Sequence, residues 1–195
     1  MQVSVEDRPE AVIDLEEAKR HLRVDHDDDD AAIEALIATA QGSIDGPFGW
    51  LRRAVGSQSL MMRLPGDALR GRCPIRIPYG PVISVLGIAY DDLTGTEQTL
   101  ADGDVEVVEI DGIPHLLPVF GSVWPQARCA PNAVRITWRA GFADPAQEIP
   151  PIRHAVLLMV GHYYQNPEAV VVGASVAELP LGVERLLAPY RVWGV

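Results

Sequence analysis

The sequence is poor in cysteine, in basic charge and in long apolar runs, and each shortage closes off a class of protein. Cys73 and Cys129 are the only cysteines in 195 residues. They stand in different segments without partners at metal-ligand spacing, so two reduced thiols are expected, not a disulfide scaffold or a zinc site. Sixteen Lys+Arg against 27 Asp+Glu give a net charge of −11. Such a chain does not gain its affinity by neutralising many phosphates, although DNA could still pass it without sticking. No apolar run reaches about 18 residues, the length of a membrane helix. The opening Met1-Gln2-Val3-Ser4-Val5-Glu6-Asp7 lacks a basic region followed by an apolar stretch. Neither membrane spanning nor export by a standard signal is therefore expected.

What is present suits a folded protein. Hydrophobic residues make up 48% and charged residues 22%, and the length serves one well-buried core with a modest second layer. The charge is uneven: residues 1–46 hold 13 of the acids but only 4 of the bases. Within this segment Asp14 and Glu17 have capping-box spacing and predict a short helix over 15–22 with Leu15, Ala18 and Leu22 on one side. Arg23 to His26 turn the chain. Asp27 or Asp28 is then expected to cap a second helix over 28–45, with Ile33, Leu36, Ile37, Ala40 and Ile44 as its apolar stripe and Gly46-Pro47 as its stop.

From Trp50 to Trp138 short runs are broken by Gly, Pro and Asp. Leu60, Met62 and Leu64 alternate, as do Val105 with Val107, and Val134, Ile136 and Trp138; Val82, Val85, Ile88 and Tyr90 form a further run. Asp91-Asp92-Leu93-Thr94-Gly95 and Asp102-Gly103-Asp104 read as turns. A small antiparallel sheet or barrel of about five to seven strands follows, with Pro74, Pro78, Pro81, Pro114 and Pro118 at strand ends or edges, because proline has no ladder donor. Pro150-Pro151 opens a helix that buries Ile152, Val156, Met159, Val160 and Tyr163 and stops at Asn166-Pro167. Ala169 to Ala177 read as a loop or arm. Pro180 opens a last short helix through Tyr190, with Val183, Leu186 and Leu187 inward and Arg191 to Val195 as a tail whose Trp193 needs cover. The expected fold is α+β: a small helical bundle built from N- and C-terminal helices, with an inserted antiparallel β unit. The divisions fall at 1–49, 50–145 and 146–195 within one composite domain, whose four short helices would be completed by neighbouring copies or a partner.

No residue pattern carries catalysis. Asp25, Asp27, Asp28, Asp29 and Asp30 surround His26 and could offer oxygens to Ca²⁺ or Mg²⁺, but Ala31-Ala32-Ile33 replace the glycine turn and closing glutamate of an EF-hand. A solvated helix start or a contact with a basic partner fits the run better. His21, His26, His115, His154 and His162 lack zinc spacing, Ser175 lacks a nucleophile elbow, and no Gly-rich phosphate cradle occurs. No cofactor, metal or enzymatic activity is expected. Arg52, Arg53, Arg63, Arg70, Arg72 and Arg76 lie within residues 52–76 with Asp67 as the only acid. They read as a solvated face, or as partners of the Asp25–Asp30 run across a boundary between identical copies, with Arg52, Arg53 and Arg63 as the leading candidates.

Three segments carry a family resemblance: Leu15 to Asp25 with the acidic turn and Ile33 to Ile37; Val134 to Phe142 leading through Ile149-Pro150 to Gly161-His162-Tyr163-Tyr164; and Glu178 to Arg191. Phe120 to Pro125 add a shorter match. In these the chain resembles the head-tail connector, or adaptor, proteins of long-tailed phages and phage-derived gene transfer agents. The resemblance implies a structural part at the head-tail junction of a virion or virion-like particle, assembled in the host cytoplasm. It implies a ring, commonly of twelve copies, below the portal protein, carrying stopper or tail-completion proteins and letting DNA through without sequence-specific binding. It puts the portal contact at Leu186, Leu187, Tyr190, Arg191, Val192 and Trp193, so removal of 186–195 is expected to leave a folded protein that no longer attaches. The alternative is a small acidic protein-binding module or assembly chaperone that uses the same apolar end without forming a ring; a metal-dependent hydrolase at Asp25–Asp30 is a third reading.

Overall fold

Alternation in two segments builds the centre of a sheet. The computed structural model describes residues 2–167 and 181–193. Val134–Ala140 (β8) buries Val134, Ile136, Trp138 and Ala140, and it lies between Gln58–Leu64 (β2) and Val82–Asp91 (β4), antiparallel to both. Leu60 and Val85 face Trp138 from either side, Met62 and Ile88 face Ile136, and Leu64 and Tyr90 face Val134. Each fully buried side chain of this size contributes roughly 1.5–3 kcal/mol. Gln2–Val5 (β1) adds an edge against β2, and Glu97–Thr99 (β5) adds the other edge against β4, giving the order β1-β2-β8-β4-β5. A second sheet of three strands is ordered Ile75–Arg76 (β3), Ile113–Pro118 (β7), Val105–Ile110 (β6).

The spacing of Val82, Val85, Ile88 and Tyr90, which is not that of a regular strand, has a structural cause. The β4–β8 register skips between Val82 and Ser84 and between Val85 and Gly87. Each bulge resets the phase by one residue and turns Ile83 and Leu86 outward, where both are exposed. The hairpin after β4 is held by Asp92, whose carboxylate accepts from the Thr94 and Thr96 amides, the Thr94 hydroxyl and the Gln98 side chain. These bonds pull its pKa down to about 2.

The seven strands β2 to β8 fall within the five to seven expected of this stretch, and β1, at Gln2–Val5, is an eighth described strand that no periodic signal announces. Pro114 also departs from expectation, sitting second in β7, the central strand of its sheet. Its carbonyl still accepts from the Ile77 amide. The alternation at Val105 and Val107 marks no half-buried strand either: five of the six residues of β6 are exposed.

The β unit comprises residues 1–9 and 57–141, and the helical unit residues 10–56 and 142–194. The helical unit contains Leu15–Leu22 (α1), Asp30–Ile44 (α2), Pro145–Glu148 (α3), Pro150–Gln165 (α4) and Leu181–Leu187 (α5). Ile33, Ile37, Ala40 and Ile44 of α2 meet Ile152, Val156, Met159 and Val160 of α4, with Val183 and Leu187 of α5 in the same core. Tyr163 packs against this core and is only partly buried.

Two predicted caps form differently from the expectation. The Asp14 carboxylate accepts from the Glu17 amide at 2.7 Å, but the Glu17 carboxylate goes to Arg153 of α4 instead of returning to Asp14. Helix α2 starts at Asp30 with Asp29 as its cap residue, in place of Asp27 or Asp28, and no side chain caps it. Ala169 to Ala177 and Pro180 lie outside the described residues. The protein is α+β.

Candidate docking surface

The 3₁₀ turn Ala188–Tyr190 follows α5, and Arg191 after it is extended. The Val192 amide donates to the Leu51 carbonyl at 3.0 Å. The Arg191 guanidinium lies 4.3 Å from the Trp50 ring centroid and 4.2 Å from that of Trp193, making a three-layer stack. Trp193 is nevertheless 74% exposed, and Phe48 86%. Arg53 supports the segment from beneath: it donates to the Tyr190 carbonyl at 3.2 Å and lies over the Phe142 ring. Burial lowers its pKa.

Trp50 sits in a loop tied by many hydrogen bonds. Asp45 is buried, and its carboxylate accepts from the Val55 amide at 2.7 Å and from the Gly56 amide and the Gln41 side chain at 3.0 Å. Arg52 donates to the Pro47 carbonyl at 2.7 Å, and the Trp50 amide to the Ser43 carbonyl at 3.0 Å. A side chain at Gly49 would come within 2.2 Å of the Ile44 backbone, so only glycine fits there. Phe48 and Trp50 had no place in the sequence reading of the docking end. The signal available was a pair of aromatics in a Gly-Pro-Phe-Gly-Trp turn.

The six residues assigned to the portal contact do not share one environment. Leu187 is fully buried, Leu186 and Tyr190 pack partly against the same core, and Arg191 and Val192 are half-buried, leaving Trp193 outermost. A cut at 186 would remove Leu187 from the core and leave a cavity worth about 2–5 kcal/mol. Such a truncation is therefore expected to weaken the helical unit, whereas a cut after Tyr190 spares Leu187.

The acidic run and the arginines are largely occupied within the chain. Lys19 reaches Asp27 at 2.6 Å and Asp30 at 2.8 Å. Tyr164 donates to Asp29, and the Tyr164 pKa is raised by that bond. His26 stands 4.0 Å from Asp28. Asp25 and Asp28 are exposed. Of the arginines proposed to pair with this run, Arg53 is turned inward, Arg52 is exposed, and exposed Arg63 approaches the Met61 sulfur. His21, His154 and His162 are exposed, and His115 Nδ1 bonds the Ile113 carbonyl. Cys73 and Cys129 are free and exposed. Among the described residues, no group of three or more His, Cys, Asp or Glu could hold a metal ion, and no helix is long and apolar enough to cross a membrane.

Comparison with known proteins gives the same direction as the residues. The model of the phage gp6-like head-tail connector protein family matches residues 12–99. A chain from the neck of an empty gene transfer agent (GTA) particle, computed with C6 symmetry, matches with a TM-score of 0.74 and 23% identity, over 100% of this chain and 97% of that one. A chain of the native GTA virion matches over the same shares with a TM-score of 0.70 and 23% identity. One from the native GTA neck, computed with C12 symmetry, does so at 0.68 and 21%. No curated protein matches the chain. The chain is thus similar in sequence to phage gp6-like head-tail connectors over residues 12–99, and over its whole length it has the fold of chains from gene-transfer-agent necks.

Proposed function

We propose that this protein is a non-enzymatic adaptor at the head-tail junction of a phage-like particle. It assembles as a ring, of twelve copies by analogy with the C12 neck, and bridges the portal protein to stopper or tail-completion proteins. The observation that carries this reading is the match over 100% of the chain to neck chains of which 97% is covered. DNA crosses the ring without being gripped, since a chain of net charge −11 repels phosphates at short range. The portal contact is made by Tyr190, Arg191, Val192 and above all Trp193, the exposed end of the Trp50–Arg191–Trp193 stack. An aromatic already held in place gains area on docking at little further cost in conformational entropy.

The test is cosedimentation with purified portal. Trp193→Ala should leave the melting temperature unchanged and lower affinity by roughly 30-fold, the scale of an interface hot spot of about 2 kcal/mol. Wild-type protein that ignores portal would refute the reading, as would undiminished binding by the variant refute the docking end.

A further inference from the structure

We infer that the β6–β7 hairpin is the arm by which one copy of the chain grips the next, its acidic and apolar strand β6 seated on the arginine-bearing surface of the neighbour's β unit. This rests on the ring reading and supplies its lateral contact.

Strand β6 ends its sheet, so one side of its backbone has no partner strand among the described residues. Successive side chains of a strand point to opposite faces. Val107 and Val108 are 44% and 38% exposed and Ile110 38%, so neither face of β6 is covered. A six-residue edge with apolar groups on both faces is a template for pairing.

Charge selects the occupant. Residues 101–112 contain Asp102, Asp104, Glu106, Glu109 and Asp111 and no base. Two such strands meeting each other would set carboxylate against carboxylate. A closed ring instead repeats one contact between two unlike surfaces, and the same β unit supplies the unlike one. Arg63 is exposed on β2, and Arg70 is exposed with its guanidinium 3.4 Å from Asp67, a pair too open to neutralise it fully. The acidic run at Asp25–Asp30 offers these arginines less, because Lys19 and Tyr164 already engage Asp27, Asp29 and Asp30 and leave only Asp25 and Asp28 to a partner.

The test is a charge swap followed by ring assembly, measured by sedimentation and native mass spectrometry, free and on portal. Glu106→Arg with Glu109→Arg should raise the concentration needed for rings about tenfold at low salt, and so should Arg63→Glu with Arg70→Glu. A chain carrying all four changes should assemble again, because the sign of the contact is restored. Rings indifferent to arm reversal, or a four-fold variant that folds yet stays dispersed, overturn the arm. Wild-type protein that forms no ring in either setting strikes the ring reading itself. If the reversed chains melt early, Glu106→Gln with Glu109→Gln probes the same contact: weaker assembly with a flatter salt dependence supports it, and unaltered assembly overturns it.

Discussion

Replacing Arg191 by alanine removes the middle layer of the Trp50–Arg191–Trp193 stack and touches nothing in the helical core. Each cation–π face at a partly exposed site contributes about 0.5–1 kcal/mol, so the two together hold residues 190–193 by about 1–2 kcal/mol. The remaining ties are the bond from the Val192 amide to the Leu51 carbonyl at 3.0 Å, that from Arg53 to the Tyr190 carbonyl at 3.2 Å, and the packing of Tyr190 on the core. At 1.4 kcal/mol per factor of ten, the loss lowers the population of the held segment about 5- to 30-fold. Binding that needs the held form weakens by no more than that factor. Hydrogen exchange at the Val192 amide should accelerate by the same range, with the melting temperature little changed. Arg191→Lys keeps the charge but loses the planar group that lies between two rings, so it should resemble alanine more than wild type. If Val192 exchanges at the wild-type rate in both variants, the stack does not hold the segment. A loss of portal affinity without faster exchange would make Arg191 a contact residue instead of a positioning one.

Asp45→Ala should cost about 2–4 kcal/mol in chemical denaturation, since it strands the Val55 and Gly56 amides in a buried site; a loss below 1 kcal/mol would mean water replaces the carboxylate. Asp92 has a folded pKa of about 2 against an ordinary 3.8. Its lowered value stabilises the fold above about pH 4, and that contribution fades as pH falls towards about 2. Asp92→Asn should therefore flatten the acid dependence of stability in this window, and a carboxyl titrating near its ordinary value in NMR would contradict the hairpin geometry.

What could be read from the sequence divides along the range of the forces involved. The α1 boundaries, the stripe on α2 and the stop of α4 at Asn166-Pro167 depend on neighbours within a turn or two, and the observed helices keep them. The cap at Asp14 formed, yet its glutamate was drawn to Arg153, a residue brought close only by packing. Lys19 likewise captures two of the aspartates that, as a bare run, look free to meet a partner. Strand β1 has no pattern of its own and exists because β2 offers an edge. The end proposed for docking was half legible: Trp193 signals itself as an aromatic without cover, whereas Trp50, against which Arg191 lies, is on the far side of the inserted β unit in sequence.

The same division bears on how the proposed adaptor would hold different partners without confusing them. Each unit has its own buried apolar residues: Leu60, Met62, Ile88, Ile136 and Trp138 in the sheet, and Ile33, Ile37, Val156, Met159 and Leu187 among the helices. Residues that neither core uses are therefore free to serve contacts, and two groups stand out by chemistry. One is aromatic and cationic, at Phe48, Trp50, Arg191 and Trp193; the other is acidic and aliphatic, on β6. Surfaces so different in charge do not compete for one partner, because each would meet repulsion or unpaired charge on the other's target. In the proposed ring, specificity between the end-on and lateral contacts can then reside in composition alone, without any conformational switch.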